Sequence, residues 1–403
     1  MVYSGDMLFL RKKLDGMHVF YVNGMLRSLV FALVSIFTPV YLYKIGLSQW
    51  GSLQDGLLLV CGYYILTRVT TLLFALPISW VIEKIGFRHS MATSLLILIG
   101  SFVALLMAEH NPWLVAVASV AGGLNIPFYW VARNSAISQD SNSKLVGSQM
   151  GIMTTVEQVA TLLGPLAAGL MIEKWGFASL YLLALVILGI SVIPLWGMPH
   201  HVHKNGATWI GFWQWIRNPR YTHIGIGVGA RAVDDYAISI LWPLSIFVLG
   251  VNTGVLGGVF SLVAVVALVM KLVMGKVFDR LHAKGDFSDE ILFMFSACIN
   301  SIAWIIRIFM VSVGSILLLD AVGAITRTIY SSFYLDYEQL GGKRMGSIAY
   351  WVYGEMMYSV MTIALFGVVA LGVWAQVWRE TFMIMAGVWV LVSMVMAKES
   401  NMK

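Results

Sequence analysis

The sequence predicts an all-α membrane protein, with twelve transmembrane helices in two six-helix bundles. Three observations lead there. Of the 403 residues, 59% are hydrophobic and only 11% are charged, and the mean hydropathy is +0.82. A soluble domain carries about 25% charged residues, so this inventory cannot coat a water-facing surface. Apolar runs of about 20 residues recur along the chain, each long enough to cross about 30 Å of hydrocarbon as a helix. Finally, a charged turn, Ser79-Trp-Val-Ile-Glu-Lys-Ile-Gly-Phe-Arg88, has an echo about 196 residues later in Gly275-Lys-Val-Phe-Asp-Arg-Leu-His-Ala-Lys284. A recurrence of that kind marks two similar halves.

The chain opens on a polar lead with Arg11, Lys12 and Lys13. It has no short apolar stretch closed by small residues, so no removable signal peptide is expected. Spans are expected near 18–43, 56–79, 90–108, 113–135, 149–172, 179–197, 223–249, 254–278, 290–311, 315–335, 347–371 and 380–397. This divides the chain into an N-terminal bundle (1–197), a cytoplasmic linker (198–222) and a C-terminal bundle (223–403). Within the linker, Thr208 is a suitable N-cap for a segment ending at Asn218, with Trp209, Phe212, Trp213 and Ile216 at helical spacing. That pattern predicts a helix lying in the membrane interface. His200, His201 and His203 precede it without an acid or cysteine to complete a metal site, so they read as a solvated loop. Cys61 and Cys298 fall inside apolar runs, which argues against a disulfide framework or a metal cage.

Orientation follows from the loops. Lys84, Arg88, Lys144, Lys204, Arg217, Arg220, Lys276, Arg280, Lys284, Lys343 and Arg344 fall on one side, against Lys44, Lys174 and Arg379 on the other. The positive-inside rule then puts both termini in the cytoplasm. The net charge of +6 is spread between spans rather than gathered in a nucleic-acid patch. Compact length and tight loops point to a cell inner membrane. The halves also align at Arg27, Pro39 and Gly46 with Arg231, Pro243 and Gly250, at a constant offset.

On these residues the chain resembles a major facilitator superfamily transporter. That family's loop motif is a Gly followed by Asp-Arg and then Gly-Arg-Arg/Lys. The first copy here has Ser79, Glu83 and Lys84 at the leading positions and keeps Gly86 and Arg88; the second keeps Gly275, Asp279 and Arg280. Gly164-Pro165 and Gly169 in the fifth span are similar to the Gly-Pro-x-x-Gly-Gly element of the family's antiporters. The resemblance implies a secondary transporter without a cofactor, monomeric, with a substrate site between the halves. It also implies that the charged loops act as a latch on the cytoplasmic ends.

The charges inside the spans are more informative. Arg27, Arg68, Glu157, Arg231, Asp234, Asp235, Arg327 and Glu355 lie about 8–12 residues from the expected cytoplasmic ends, roughly 12–18 Å deep. An unpaired charge at that depth costs at least about 2.5–3.5 kcal/mol, so these residues are expected to meet around a wet, paired site. Arg133, Lys271 and Arg307 lie nearer span ends and are expected to snorkel, and Asp320 to cap a helix or face the outer vestibule. Arg231 has Asp234 and Asp235 three and four positions on, both within its reach on a helix. One of Asp234, Asp235, Glu157 and Glu355 is the expected proton-coupling carboxylate. Guanidinium suits carboxylate and phosphate, and Asn23, Tyr129 and Trp130 would complete the pocket, with Arg27 and Arg231 facing each other across it. The expected function is proton-coupled transport of a small organic solute, anionic or amphipathic. An exporter or flippase of drug- or lipid-like molecules, and a non-transporting signalling protein on the same scaffold, are the alternatives. The histidines lie almost all in loops or at span ends, which disfavours a membrane-embedded enzyme.

Overall fold

In hydrocarbon every backbone polar group must be satisfied within its own segment, so apolar runs of this kind become helices. A computed structural model describes residues 19, 21–140, 155–159, 161–197, 206–284, 289–310, 312–324, 326–327 and 347–395. Among the described residues there are helices and turns and no strand. In chain order the helices are α1 (residues 21–34), α2 (Thr38–Trp50), α3 (Leu53–Met107), α4 (Trp113–Asp140), α5 (Gly164–Ser191), α6 (Trp209–Arg217), α7 (Pro219–Tyr236), α8 (Trp242–Val248), α9 (Thr253–Lys284), α10 (Asp289–Arg307), α11 (Val313–Ala324), α12 (Ser347–Trp374) and α13 (Trp378–Val392).

Among the described residues seven stretches are long and apolar enough to cross a membrane, against the twelve spans expected. Part of the difference has physical causes. Expected spans 56–79 and 90–108 run together in α3, whose 55 residues are interrupted only at Gly86, with φ 77° and ψ 165°. Likewise Gly176, with φ 75°, divides α5. A left-handed backbone is one that glycine adopts without steric cost, so one residue suffices to kink the chain. Expected span 223–249 is split between α7 and α8 by a π-helical turn, Ala237–Leu241. The charges Arg231, Asp234 and Asp235 also lower the hydropathy of α7. Expected span 290–311 appears as a shorter apolar helix, Ile291–Arg307; of expected span 315–335 the described part holds the helix Val313–Ala324, and residues 325 and 328–335 lie outside the described residues.

The two halves of the chain are packed together by α12 running along α3 and α4, and by α9 running along α5. At the α5–α9 contact the backbones meet directly. A Cβ on Gly169 would run into the Thr253 carbonyl, and one on Gly257 into the Pro165 carbonyl. A Cβ on Gly164 would likewise come within 2.6 Å of the Ala32 Cβ on α1. Small residues allow such close crossings in membranes. The Gly164-Pro165 element also marks a helix start: residues 162–163 are a bend, and proline occupies the first turn, where its missing N–H costs nothing.

Large apolar side chains such as Leu96, Val186 and Leu318 face outward and are exposed, as lipid contact requires. The linker helix forms as expected, with the Thr208 hydroxyl accepting from the Gly211 N–H at 2.9 Å. Its buried face differs from the expected one. Phe212 and Trp215 turn inward against Tyr353, while Trp209, Ile210 and Trp213 are exposed. The Tyr353 hydroxyl accepts from the Thr208 N–H at 3.0 Å, which ties this helix to α12. His200, His201 and His203 lie outside the described residues.

Candidate functional site

A cavity of about 370 Å³ sits between the halves. From the first half it is lined by Arg27, Arg68, Asn125 and Trp130; from the second half by Tyr236, Ser239, Ile240 and Tyr358. The halves also touch where the Tyr43 ring meets Phe247 edge-on, with centroids 6.3 Å apart, and where α12 packs on α4.

Three of the mid-depth arginines, and Arg133 as well, have acids. Arg68 of α3 donates from Nε to the Tyr236 hydroxyl at 2.7 Å and from Nη1 to Glu355 of α12 at 3.4 Å, so its bonds cross between the halves. Its guanidinium lies over the Tyr358 ring, 4.6 Å from the centroid. Arg231 pairs with Asp235 at 3.1 Å, and the Tyr358 hydroxyl donates to the same carboxylate oxygen at 3.1 Å. Asp234, one residue back, points elsewhere: it accepts from Trp304 Nε1 at 2.7 Å and pairs with Arg327 at 3.3 Å. Arg133 pairs with Glu157. It is therefore buried and bonded rather than snorkelling, because a carboxylate one span away is a better partner than distant headgroups.

Arg27 differs from these. It is 3% exposed, its Nη2 donates to Asn125 Oδ1 at 3.2 Å, and the guanidinium stacks on Tyr129, 3.6 Å from the ring centroid. Among the described residues no carboxylate pairs with it, and Nε and Nη1 make no hydrogen bond. Asn23 does not line the cavity. It is fully buried, donates to the Ser191 carbonyl at 2.8 Å and accepts from the Tyr129 hydroxyl at 3.2 Å, so it fixes the ring on which Arg27 rests. Trp130 does line the cavity, as expected. Arg231 does not; in its place the second half contributes Tyr236 and Tyr358.

Two residues expected to be peripheral are central to a second cluster. Arg307 is fully buried and pairs with Asp320 at 2.7 Å, so it does not snorkel and Asp320 faces no vestibule. Trp242 Nε1 donates to the other Asp320 oxygen at 2.7 Å, and Arg307 lies 4.4 Å from the Trp304 ring centroid. The loop residues divide. Ser79 is buried within α3 and donates to the Leu76 carbonyl, and Gly86 makes the kink. Lys84 is exposed, and among the described residues Glu83, Lys84 and Arg88 make no ion pair. Gly275, Asp279 and Arg280 lie on α9, with their side chains outside the described set. Sequence reasoning missed Tyr63, Tyr64, Thr67 and Asn125 of the cavity wall. The spacing of Tyr64 and Arg68, one helical turn apart, was the available signal.

The comparisons with known proteins bear on family and fold. Residues 20–364 match the family model of the Major Facilitator Superfamily, and the chain belongs to that family, one of transporters rather than enzymes. Among curated proteins none matches it in sequence. Its fold is shared with PepTSo, a POT family transporter, at TM-score 0.73 and 11% identity over 96% of this chain and 98% of that one. The human organic anion transporter MFSD10 gives 0.69 and 13% over 95% and 99%. The E. coli fucose:proton symporter FucP gives 0.64 and 12% over 96% and 99%. At such identities the likeness is one of fold.

Proposed function

We propose that this chain is a secondary active transporter that carries a small organic anion across a cell inner membrane by alternating access, driven by protons. Two six-helix bundles, 1–197 and 223–403, rock about the central cavity. The 198–222 linker lies along the cytoplasmic face and both termini are cytoplasmic. The protein works as a monomer.

The observation that carries the reading is Arg27. A buried charge without a partner is expensive, and far more so in a membrane interior. Its neighbours Arg68 and Arg133 have acids; Arg27 has an amide and a ring. A guanidinium held ready and left uncompensated in a cavity is an anion site. For coupling, Asp235 is the best-placed acid. Its side chain is 43% exposed, against 3% for Asp234. Arg231 and the Tyr358 hydroxyl face it, with Asp234 on the preceding residue. Glu83, Lys84, Arg88, Asp279 and Arg280 serve as the cytoplasmic latch. The test is pH-driven uptake of organic anions into liposomes holding the purified protein. Wild type should accumulate them and Arg27→Gln should not; accumulation by both would refute the anion site.

A further inference from the structure

The cavity is amphipathic along its length, and this narrows the solute class. The inference deepens the anion reading and rests on it. Arg27 and Thr38 both line the cavity, about 11 residues apart, or ~16 Å of helix rise. Arg27, Asn125 and Trp130 lie at one end. The level of Thr38 is fixed by its hydroxyl contact with Tyr181 at 3.3 Å; Phe102 packs on that same Tyr181, and Tyr41 donates to the Leu105 carbonyl. Phe102 and Leu105 therefore form the far end, with Ile240 beside them from the second half. A volume of about 370 Å³ drawn out over that distance is an elongated slot rather than a round chamber.

The charge count is restrictive. The cations lining the slot are Arg27 and Arg68, and Arg68 is answered by Glu355. One positive charge is left over among the described residues, so one negative charge balances it.

We infer that the transported solute is an elongated monovalent anion, with its head group on Arg27 and an apolar alkyl or aryl tail lying along the slot toward Phe102, Leu105 and Ile240. Dianions bring a charge the slot does not balance, and sugars bring no charge to answer Arg27.

Alkyl sulfonates test this cleanly, because they stay ionised and do not leak through lipid. Thermal unfolding of the full chain in lipid nanodiscs would be measured against methanesulfonate, hexanesulfonate, ethane-1,2-disulfonate and galactose. Each buried methylene is worth about fourfold in affinity. Hexanesulfonate should therefore stabilise at concentrations at least about thirtyfold below methanesulfonate, with no shift from the disulfonate or galactose. Leu105→Trp, which shortens the slot, should weaken hexanesulfonate about tenfold and leave methanesulfonate unchanged. Arg27→Gln should abolish both responses; if that variant does not fold, the wild-type series and Leu105→Trp still decide. Equal binding of the two monosulfonates, both lost in Arg27→Gln, would overturn the tail and keep the anion site. A disulfonate response at the hexanesulfonate level would overturn the single charge. A response to galactose alone, or to no probe, would overturn the tail and the anion site together.

Discussion

Arg27 in the first half and Arg307 in the second are both buried arginines laid against aromatic rings, yet their surroundings differ in one respect. Arg307 has Asp320, bonded at 3.1 and 2.7 Å from two of its nitrogens, and Gly323 leaves room for it, since a Cβ there would lie 3.1 Å from Nη2. Arg27 has a neutral amide and a tyrosine face. One charge is neutralised inside the protein and holds α8, α10 and α11 together. The other leaves a net charge beside a cavity. Burial alone, then, does not distinguish these two arginines; the counter-ion does.

The largest effect should come from breaking the closed pair. Asp320→Ala strands Arg307 and should cost about 3–5 kcal/mol of stability, read as a lowered Tm. The double variant Arg307→Met with Asp320→Leu should recover most of it, because replacing both ions with apolar groups is often neutral. Arg27→Gln should show the opposite pattern: transport down by about 100-fold, or ~2.7 kcal/mol, with Tm unchanged or higher. A large Tm loss in that variant would make Arg27 structural and erase the contrast. Asp235→Asn should remove the drive of an imposed pH gradient, roughly tenfold in uptake rate, and spare solute counterflow. Loss of both activities would remove Asp235 from coupling and assign it to binding. The smallest change is Asn125→Ala, which deletes the one hydrogen bond to Arg27. A net cost of about 1 kcal/mol corresponds to about fivefold weaker apparent affinity.

How much of this was readable beforehand depends on geometry. Depth along a helix can be counted at 1.5 Å per residue, and that count puts Arg27, Arg68, Asp235 and Glu355 at one expected level. Azimuth cannot be counted so simply. Whether Arg231 or Tyr236 faces the cavity depends on how α7 is rotated and on the π turn that follows it. Pairing between spans was hidden for the same reason. Arg307 and Asp320 stand 13 positions apart across a turn, and near span ends each looked like an interfacial charge. Their partners Trp242 and Trp304, being apolar in composition, gave no sign that an indole N–H would bond a buried carboxylate. The merged helices escaped a count of loops because a lone glycine at 86 or 176 replaces a connection.

The contact between α5 and α9 has a mechanical consequence. Backbone rests on backbone there, at Gly169 with Thr253 and at Pro165 with Gly257, with no side chain in between to compress or change rotamer. Such a joint has no soft intermediate: it is seated or it is apart. Under the proposed alternating access, a methyl group added at Gly257 would act as a doorstop, holding that rim ajar and skewing the protein toward a single facing.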